Sequence, residues 1–259
     1  TSWCTAHAVQ ALIEKARVLI EALPFISEFR GKTVVVKIGG ATLEDEALRR
    51  RFCEDVILLD WVGIHVVVVH GGGKQITSML DRLGIEARFE RGIRVTDAAT
   101  LQVVEMVLAG PINSDIVRLI NHLGGAAVGL TGCDGGLAKA RLVDPALGRV
   151  GEVETIDRIV IDRLIGEFIP VIAPLATGPD GEPLNVNADV FAAKLAAALN
   201  AEKLVLLTDI SGVLDADKRL IPTITPSLAS ELIAGGVIAG GMIPKVENAL
   251  ATLSAGVTK

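Results

Sequence analysis

Short runs of β-branched residues alternate with stretches of helical periodicity along most of this chain. Val34–Val36 and Val66–Val69 are continuous apolar runs, which are typical of strands buried on both faces of a parallel sheet. The stretches that follow place apolar residues every three or four positions, as amphipathic helices do. This alternation predicts an α/β fold, a three-layer αβα sandwich whose central sheet is mostly parallel.

The same patterns predict where the elements lie. Apolar residues at helical spacing from Val9 to Leu23 predict a first helix that ends before Pro24, because proline lacks the N–H that a helix interior needs. A hairpin is expected over residues 87–95. Further helices are expected over residues 44–62, 74–83, 98–108, 111–122, 156–168, 188–199, 227–234 and 244–253. Strands are expected around Lys37 and over residues 65–69, 126–130, 148–153, 170–174 and 203–207.

These patterns divide the chain into three parts. Residues 1–30 form a helical extension, residues 31–176 a first lobe and residues 177–259 a second lobe, with one sheet continuous through both lobes. The polar segment Thr177–Pro183, rich in Gly and Pro, is the expected boundary between the lobes. The sequence stops at Lys259, where the pattern predicts another strand. We therefore expect the fold to be incomplete at this end.

Composition and charge narrow the class of protein. The 259 residues are 50% hydrophobic, enough for a sizeable core, and a net charge of −6 argues against a nucleic-acid-binding surface. Cys4, Cys53 and Cys133 are too widely spaced for a zinc site or a disulfide framework. No apolar run reaches the roughly 18 residues of a membrane span, and no secretory signal begins the sequence. We expect a cytoplasmic protein with no nucleic-acid or membrane partner.

Glycine clusters follow both valine runs, at Lys37–Gly40 and at His70–Gly73. A loop without side chains lets backbone N–H groups approach an anion, and a helix starting after the second cluster adds its positive end. One such turn is explained equally well by tight packing, but two turns and a lysine on the first strand favour phosphate binding. Neither cluster matches a Walker A loop or a GxGxxG motif.

Other segments combine polar residues with glycine or proline. Asn185–Asp189 opens a helix with three polar side chains where capping needs one. Gly240–Lys245 is a glycine turn into a helix, although its lysine alone would be interpreted as a surface residue. Arg94–Asp97 is typical of a hairpin end followed by a helix cap. His70, on a buried strand, is interpreted as a packing or backbone-bonded residue and not as a catalytic group. Cys133, without an evident histidine partner, is interpreted as a packing residue and not as a nucleophile.

Together these segments resemble the amino acid kinase family. The matching segments follow the family's order and spacing and comprise residues 37–40, 70–73, 92–97, 129–132, 185–189, 206–209 and 240–245. The first two are shared across the family. Arg94–Asp97, Asn185–Asp189 and Gly240–Lys245 favour the branch that phosphorylates N-acetyl-L-glutamate. The resemblance therefore implies ATP-dependent phosphorylation of the γ-carboxylate of N-acetyl-L-glutamate, giving N-acetyl-L-glutamyl 5-phosphate in arginine biosynthesis.

The resemblance also implies roles for single residues. Lys37 and Lys245 would bind the transferring phosphoryl group from two sides, and Asp189 would hold both lysines in position. The residues expected to bind the acceptor are Gly72, Gly73, Arg94 and Asn185. The residues expected to bind the nucleotide are Gly39, Gly40, Thr208, Asp209, Ser211, Gly212, Gly241 and Met242. ATP and Mg²⁺ are the implied cofactors, and no residue is assigned as a metal ligand.

The first helix resembles the extension of hexameric, arginine-inhibited members of the family, in which such helices interlace between dimers. The resemblance implies a homohexamer built as a trimer of dimers, feedback inhibition by L-arginine and, as a further hypothesis, a PII-type signalling partner. Two alternatives stay open: a kinase of another small amino-acid-like carboxylate, and a non-catalytic sensor of a nucleotide or an amino acid. Lys37, Lys245 and Asp189 favour catalysis, because sensing does not need a two-sided clamp on the γ-phosphate.

Overall fold

The structure, a computed structural model, describes residues 6–208, 212–215, 217, 219–238, 242–254 and 257. The described strands are β1 Thr33–Ile38, β2 His65–His70, β3 Phe89–Glu90, β4 Ile93–Arg94, β5 Ala127–Thr131, β6 Ala138–Leu142, β7 Gly151–Ile156, β8 Ile169–Ala173, β9 Leu175–Thr177, β10 Pro183–Asn185 and β11 Lys203–Leu206. The described helices are α1 Ala6–Phe29, α2 Ala41–Glu44, α3 Glu46–Trp61, α4 Gly73–Arg82, α5 Ala98–Val107, α6 Asn113–His122, α7 Ile159–Leu164, α8 Ala188–Ala198, α9 Pro226–Ala234 and α10 Met242–Ser254.

Five of the described strands form a parallel sheet in the order β11-β1-β2-β8-β5. Alternate valines of one strand face opposite layers, as the pleat requires. Val66 and Val68 belong to a core cluster with residues of α3 and α6, while Val67 and Val69 belong to a second cluster with residues of α8. Helices thus cover both faces of the sheet, which confirms the predicted αβα sandwich.

Four other described strands form a second sheet, in the order β10-β9-β6-β7. Strands β9 and β10 are antiparallel, and the polar segment that we interpreted as a boundary joins them. The sequence patterns did not predict β6, β9 or β10. The helix expected over residues 156–168 was wrong in extent, since β7 runs to Ile156 and α7 spans only Ile159–Leu164.

Helix α1 also differs from its predicted extent. It continues through Pro24 to Phe29, so the prediction that it ends before Pro24 was wrong. Proline removes one backbone hydrogen bond from the helix, and the exposed surroundings of this part of α1 leave room for the ring. Within the described ranges, no helix combines the length and apolarity that crossing a membrane requires.

Parallel pairing brings the carboxyl ends of β1, β2, β8 and β5 to one edge of the central sheet. Lys37 lies near the end of β1, and Gly71 follows the end of β2. The N–H of Gly71 donates to the carbonyl of Ile38 at 2.8 Å, which joins the two glycine loops side by side. Among the described residues, this edge therefore carries Lys37 and both glycine loops.

Candidate active site

An ion pair between Lys37 and Asp189 lies at this edge. Lys37 Nζ is 2.9 Å from Asp189 Oδ1, and the two side chains are only 13% and 16% exposed. Asp189 stands in the first turn of α8, where Asn187 caps the helix by accepting from the N–H groups of Asp189 and Val190. Because Asn187 supplies the cap, the Asp189 carboxylate is available to the lysine.

The surroundings of the glycines differ from one position of the two loops to the next. A Cβ at Gly39 would lie 3.0 Å from Lys37 Nζ, so glycine leaves space beside the ammonium. A Cβ at Gly72 would lie 2.5 Å from Ile112 Cδ1, so tight packing explains that glycine. At Gly73, a Cβ would meet no described atom within 4 Å. Gly40 has a φ of +54°, a left-handed conformation that favours glycine.

Arg94 lies beneath the second glycine loop and is only 8% exposed. Its Nη2 donates to the Gly73 carbonyl and to Thr77 Oγ1, both at 2.8 Å, and Phe89 stacks on the guanidinium with its ring centre 4.6 Å from Cζ. Burial lowers the pKa of Arg94. Its Nη1 is buried and has no hydrogen-bond partner in the described part of the structure. A buried cationic N–H without an acceptor is costly, and a ligand carboxylate would satisfy it.

Asn185 is joined to the arginine through Thr96. Asn185 Nδ2 donates to Thr96 Oγ1 at 3.2 Å, and Thr96 Oγ1 donates to the Arg94 carbonyl at 2.9 Å. The backbones of Thr96 and Asn185 are also hydrogen-bonded to Arg149. The Arg149 N–H donates to the Thr96 carbonyl, and the Asn185 N–H donates to the Arg149 carbonyl. The structure therefore places the predicted acceptor residues Arg94 and Asn185 within one hydrogen-bonded network.

Sequence reasoning missed the part that Thr96 and Gly148 play in this network. A Cβ at Gly148 would lie 2.4 Å from the Thr96 carbonyl oxygen, and Gly148 has a φ of +70°. Both facts require glycine where this segment crosses Thr96. Thr96 belongs to a segment that we had singled out, but its neighbours are about 50 and 90 residues away along the chain, and no local pattern connects them.

The predicted nucleotide residues are only partly described. Thr208 follows β11, next to β1, because Leu207 N–H donates to the Lys37 carbonyl at 2.9 Å. Gly212 has a φ of +129°, and Met242 begins α10, which packs against α8. Lys245 lies in α10, but its side chain falls outside the described part of the structure. The predicted residues that lie wholly outside it are Asp209, Ser211 and Gly241.

Neither a metal cluster nor an activated thiol is present among the described residues. No group of three or more His, Cys, Asp or Glu side chains in these ranges could hold a metal ion. Burial raises the pKa of the Cys133 thiol, the opposite of what a nucleophilic cysteine needs. The interpretation of Cys133 as a packing residue is consistent with this.

The parallel sheet carries a lysine–aspartate pair, two glycine loops and a buried arginine at its carboxyl edge. These features define a class: an α/β protein whose carboxyl edge presents groups suited to an anion. The family is more particular. Residues 32–259 match the amino acid kinase family, and the chain belongs to it.

Relatives within this family share about half of the sequence. Acetylglutamate kinase of Geobacter metallireducens is 52% identical over 264 residues, covering 97% of this chain and 90% of that protein. Acetylglutamate kinase of Bradyrhizobium diazoefficiens is 49% identical over 259 residues, covering 95% of this chain and 88% of that protein. Among solved structures, smu.665 of Streptococcus mutans UA159 superposes with a TM-score of 0.79 at 31% identity, covering 87% of this chain and 91% of that one.

Proposed function

We propose that the protein phosphorylates the γ-carboxylate of N-acetyl-L-glutamate with ATP, forming N-acetyl-L-glutamyl 5-phosphate in arginine biosynthesis. The observation that carries this proposal is the ion pair of Lys37 with Asp189 beside two glycine loops, within one fold with the buried Arg94. Relatives about half identical over nearly the whole chain, named acetylglutamate kinase, support it. The proposed site of the reaction is the cytoplasm.

The chemistry needs charge stabilisation more than proton transfer. A γ-carboxyl with a reference pKa of about 4.3 is already ionised at neutral pH, so no general base is required. The obstacle is the approach of one anion to a polyanion in line with the breaking bond. Lys37 and Lys245 bind the transferring phosphoryl group from two sides, and Asp189 keeps them in position. Backbone N–H groups of Gly40, Gly72 and Gly73 add donors to the phosphates and the acceptor.

Arg94 binds the α-carboxylate of the acceptor through Nη1. Both hydrogens of its Nη2 are committed to the Gly73 carbonyl and Thr77 Oγ1, which leaves the unpartnered Nη1 for the ligand. Asn185 approaches the same carboxylate from β10. Because Arg94 also bonds the carbonyl of Gly73, acceptor binding and the geometry of the glycine loop are physically connected.

The nucleotide binds on the side of the second lobe, and the first lobe, residues 31–176, binds the acceptor. The residues that line the nucleotide site are Gly39, Gly40, Thr208, Asp209, Ser211, Gly212, Gly241 and Met242. Mg²⁺ would enter with ATP and neutralise phosphate charge when bound.

The assembly that we propose is a homohexamer, a trimer of dimers, with α1 at the contacts between dimers. Large apolar side chains of α1 that are 45–70% exposed are Leu12, Ile13, Val18, Leu19, Ile20, Leu23 and Phe25. An apolar face of this extent is typical of an interaction surface. L-Arginine as a feedback inhibitor and a PII-type protein as a partner are further proposals for this assembly.

The function is tested by measuring ADP release from MgATP and N-acetyl-L-glutamate, with hydroxylamine present to trap an acyl phosphate. We expect hydroxamate in step with ADP, and loss of both in Lys37→Met, which keeps the length of the side chain without its charge. Turnover with N-acetyl-L-aspartate or L-glutamate in place of N-acetyl-L-glutamate would indicate another acceptor. ATP binding by folded protein without turnover of any acceptor would favour a sensor.

A further inference from the structure

His70, the last residue of β2, lies directly beneath the second glycine loop and has no accessible surface. Its Nδ1 is 3.0 Å from the Gly71 carbonyl oxygen, and its Nε2 is 3.1 Å from Asn113 Nδ2. Asn113, at the start of α6, also donates from Nδ2 to the Val171 carbonyl of β8 at 2.9 Å, while the Leu130 carbonyl of β5 lies farther from Nδ2, at 3.4 Å. One hydrogen-bonded chain therefore connects β8, α6, β2 and the glycine loop.

The Val171 carbonyl sets the direction of this chain. A carbonyl can only accept, so the atom of Asn113 that faces it is the amide nitrogen, and the same nitrogen then donates to His70 Nε2. Because Nε2 accepts, the proton of the neutral imidazole resides on Nδ1 and is donated to the Gly71 carbonyl. Burial supports the neutral form, since it lowers the pKa of His70 to about 4. Gly129 admits the Asn113 amide, as a Cβ there would lie 2.0 Å from Oδ1.

Fixing this carbonyl also fixes the next N–H. In a trans peptide the C=O of one residue and the N–H of the following residue point in opposite directions. The Gly71 carbonyl points to the buried imidazole and no described peptide bond is cis, so the Gly72 N–H points away from the imidazole. The Gly71 N–H is itself bonded to the Ile38 carbonyl, so the peptide groups on both sides of Gly71 are held.

We propose that His70 is a positioning residue: its Nδ1–H tautomer, which Asn113 sets, holds the Gly71 carbonyl and directs the Gly72 N–H at the anion bound by the loop. This rests on the proposed function in that the anion is the transferring phosphoryl group or the acceptor carboxylate. A histidine that only filled space would act through its volume, whereas this one acts through a donor at one ring position.

Two substitutions separate these roles. His70→Asn places an amide N–H near the Nδ1 position and loses the acceptor for Asn113. His70→Gln places an amide oxygen near the Nε2 position, keeps more volume and the bond from Asn113, and loses the donor to Gly71.

The two variants should differ in activity. We expect His70→Gln to lower kcat/KM by about 10- to 100-fold, and His70→Asn to lower it by less than about fivefold. Thermal midpoints should rank in the opposite order, with His70→Gln the more stable variant. His65→Asn, at the other end of β2, is the matched control and should keep wild-type activity.

Hydrogen exchange gives a measurement that does not depend on the reaction. In the ligand-free protein, exchange over residues 71–76 should be faster in His70→Gln than in wild type, and close to wild type in His70→Asn. Activities that follow thermal stability, with equal exchange in the two variants, would overturn the inference. If wild-type protein turned over no acceptor while the exchange difference persisted, the proposed function would fail and the positioning role of His70 would stand.

Discussion

At the scale of single residues, the carboxylate of Asp189 has one described ionic partner, the Lys37 ammonium at 2.9 Å. Asp189→Asn keeps the shape of the side chain and removes the charge that holds the lysine. We expect kcat to fall by about 10²- to 10³-fold, the size of effect seen when one charge-stabilising group is lost, with KM for N-acetyl-L-glutamate changed by less than about threefold. Steady-state kinetics of the purified variant measure both.

A matched control for this substitution lies at the opposite edge of the same sheet. Glu202 pairs with Lys32 at 3.2 Å, just before β11 and β1, far from the carboxyl edge. Glu202→Gln makes the same acid-to-amide change and should leave kcat at its wild-type value. An unchanged kcat in Asp189→Asn would remove Asp189 from the phosphoryl clamp.

His70 makes a separate prediction about stability in acid. Its pKa lies at about 4 in the folded protein and near 6.5 when unfolded. Between these values the unfolded chain binds a proton that the folded chain does not, so stability falls as pH falls below 6.5. From pH 7.5 to pH 5 we expect wild type to lose about 2 kcal/mol more than His70→Asn, which cannot titrate. Urea unfolding at both pH values measures this, and parallel losses in the two proteins would contradict it.

At the scale of elements, the β3–β4 hairpin carries both Arg94 and the ring that covers it. Phe89 is 55% exposed, so the ring adds little to the core but lies 4.6 Å from the guanidinium. A cation–π contact of about 0.5–2 kcal/mol keeps Arg94 in place. Phe89→Ala should therefore raise KM for N-acetyl-L-glutamate by about 3- to 10-fold with little change in kcat, while Phe89→Tyr, which keeps the aromatic face, should stay near wild type. Equal KM values in all three proteins would show that the ring does not support Arg94.

The elements also show what the sequence could predict and what it could not. Continuous valine runs predicted β1 and β2 because burial on both faces of a parallel sheet leaves no polar alternation. The strand β6, with the sequence Ala-Lys-Ala-Arg-Leu, has weak intrinsic strand preference and exists because β7 and β9 pair with it. Apolar residues between Ile156 and Phe168 fit a helix throughout, yet the first of them pairs in β7.

For the site, the resemblance predicted that Lys37 and Asp189 act together, and the structure places their side chains in contact. The bonds that connect Thr96 to Gly148 and Asn185 could not be predicted in this way. They depend on a crossing of three segments, of which the one that contains β10 had not been predicted as a strand, and the requirement for glycine at position 148 follows from that crossing alone. Short strands assembled by tertiary pairing are thus where the sequence was least informative.

At the scale of the whole molecule, α1 presents apolar side chains to solvent along most of its described length, while only its end, at Phe29, packs against the core. Deleting residues 1–23 removes six of the seven exposed apolar side chains of α1 and leaves only Phe25. It also keeps Phe29 and leaves the carboxyl edge of the sheet intact. We expect sedimentation velocity to show a hexamer for the full chain and a dimer for the shortened one, with kcat per site within about threefold of wild type. Inhibition by saturating L-arginine should disappear with the helix.

A single substitution in α1 tests the same contacts. Leu19→Glu, at the most exposed of the large apolar side chains of α1, should also give the dimer, whereas Glu14→Gln on the same helix should not. If the full and shortened chains formed oligomers with the same number of subunits, the subunit contacts would lie elsewhere.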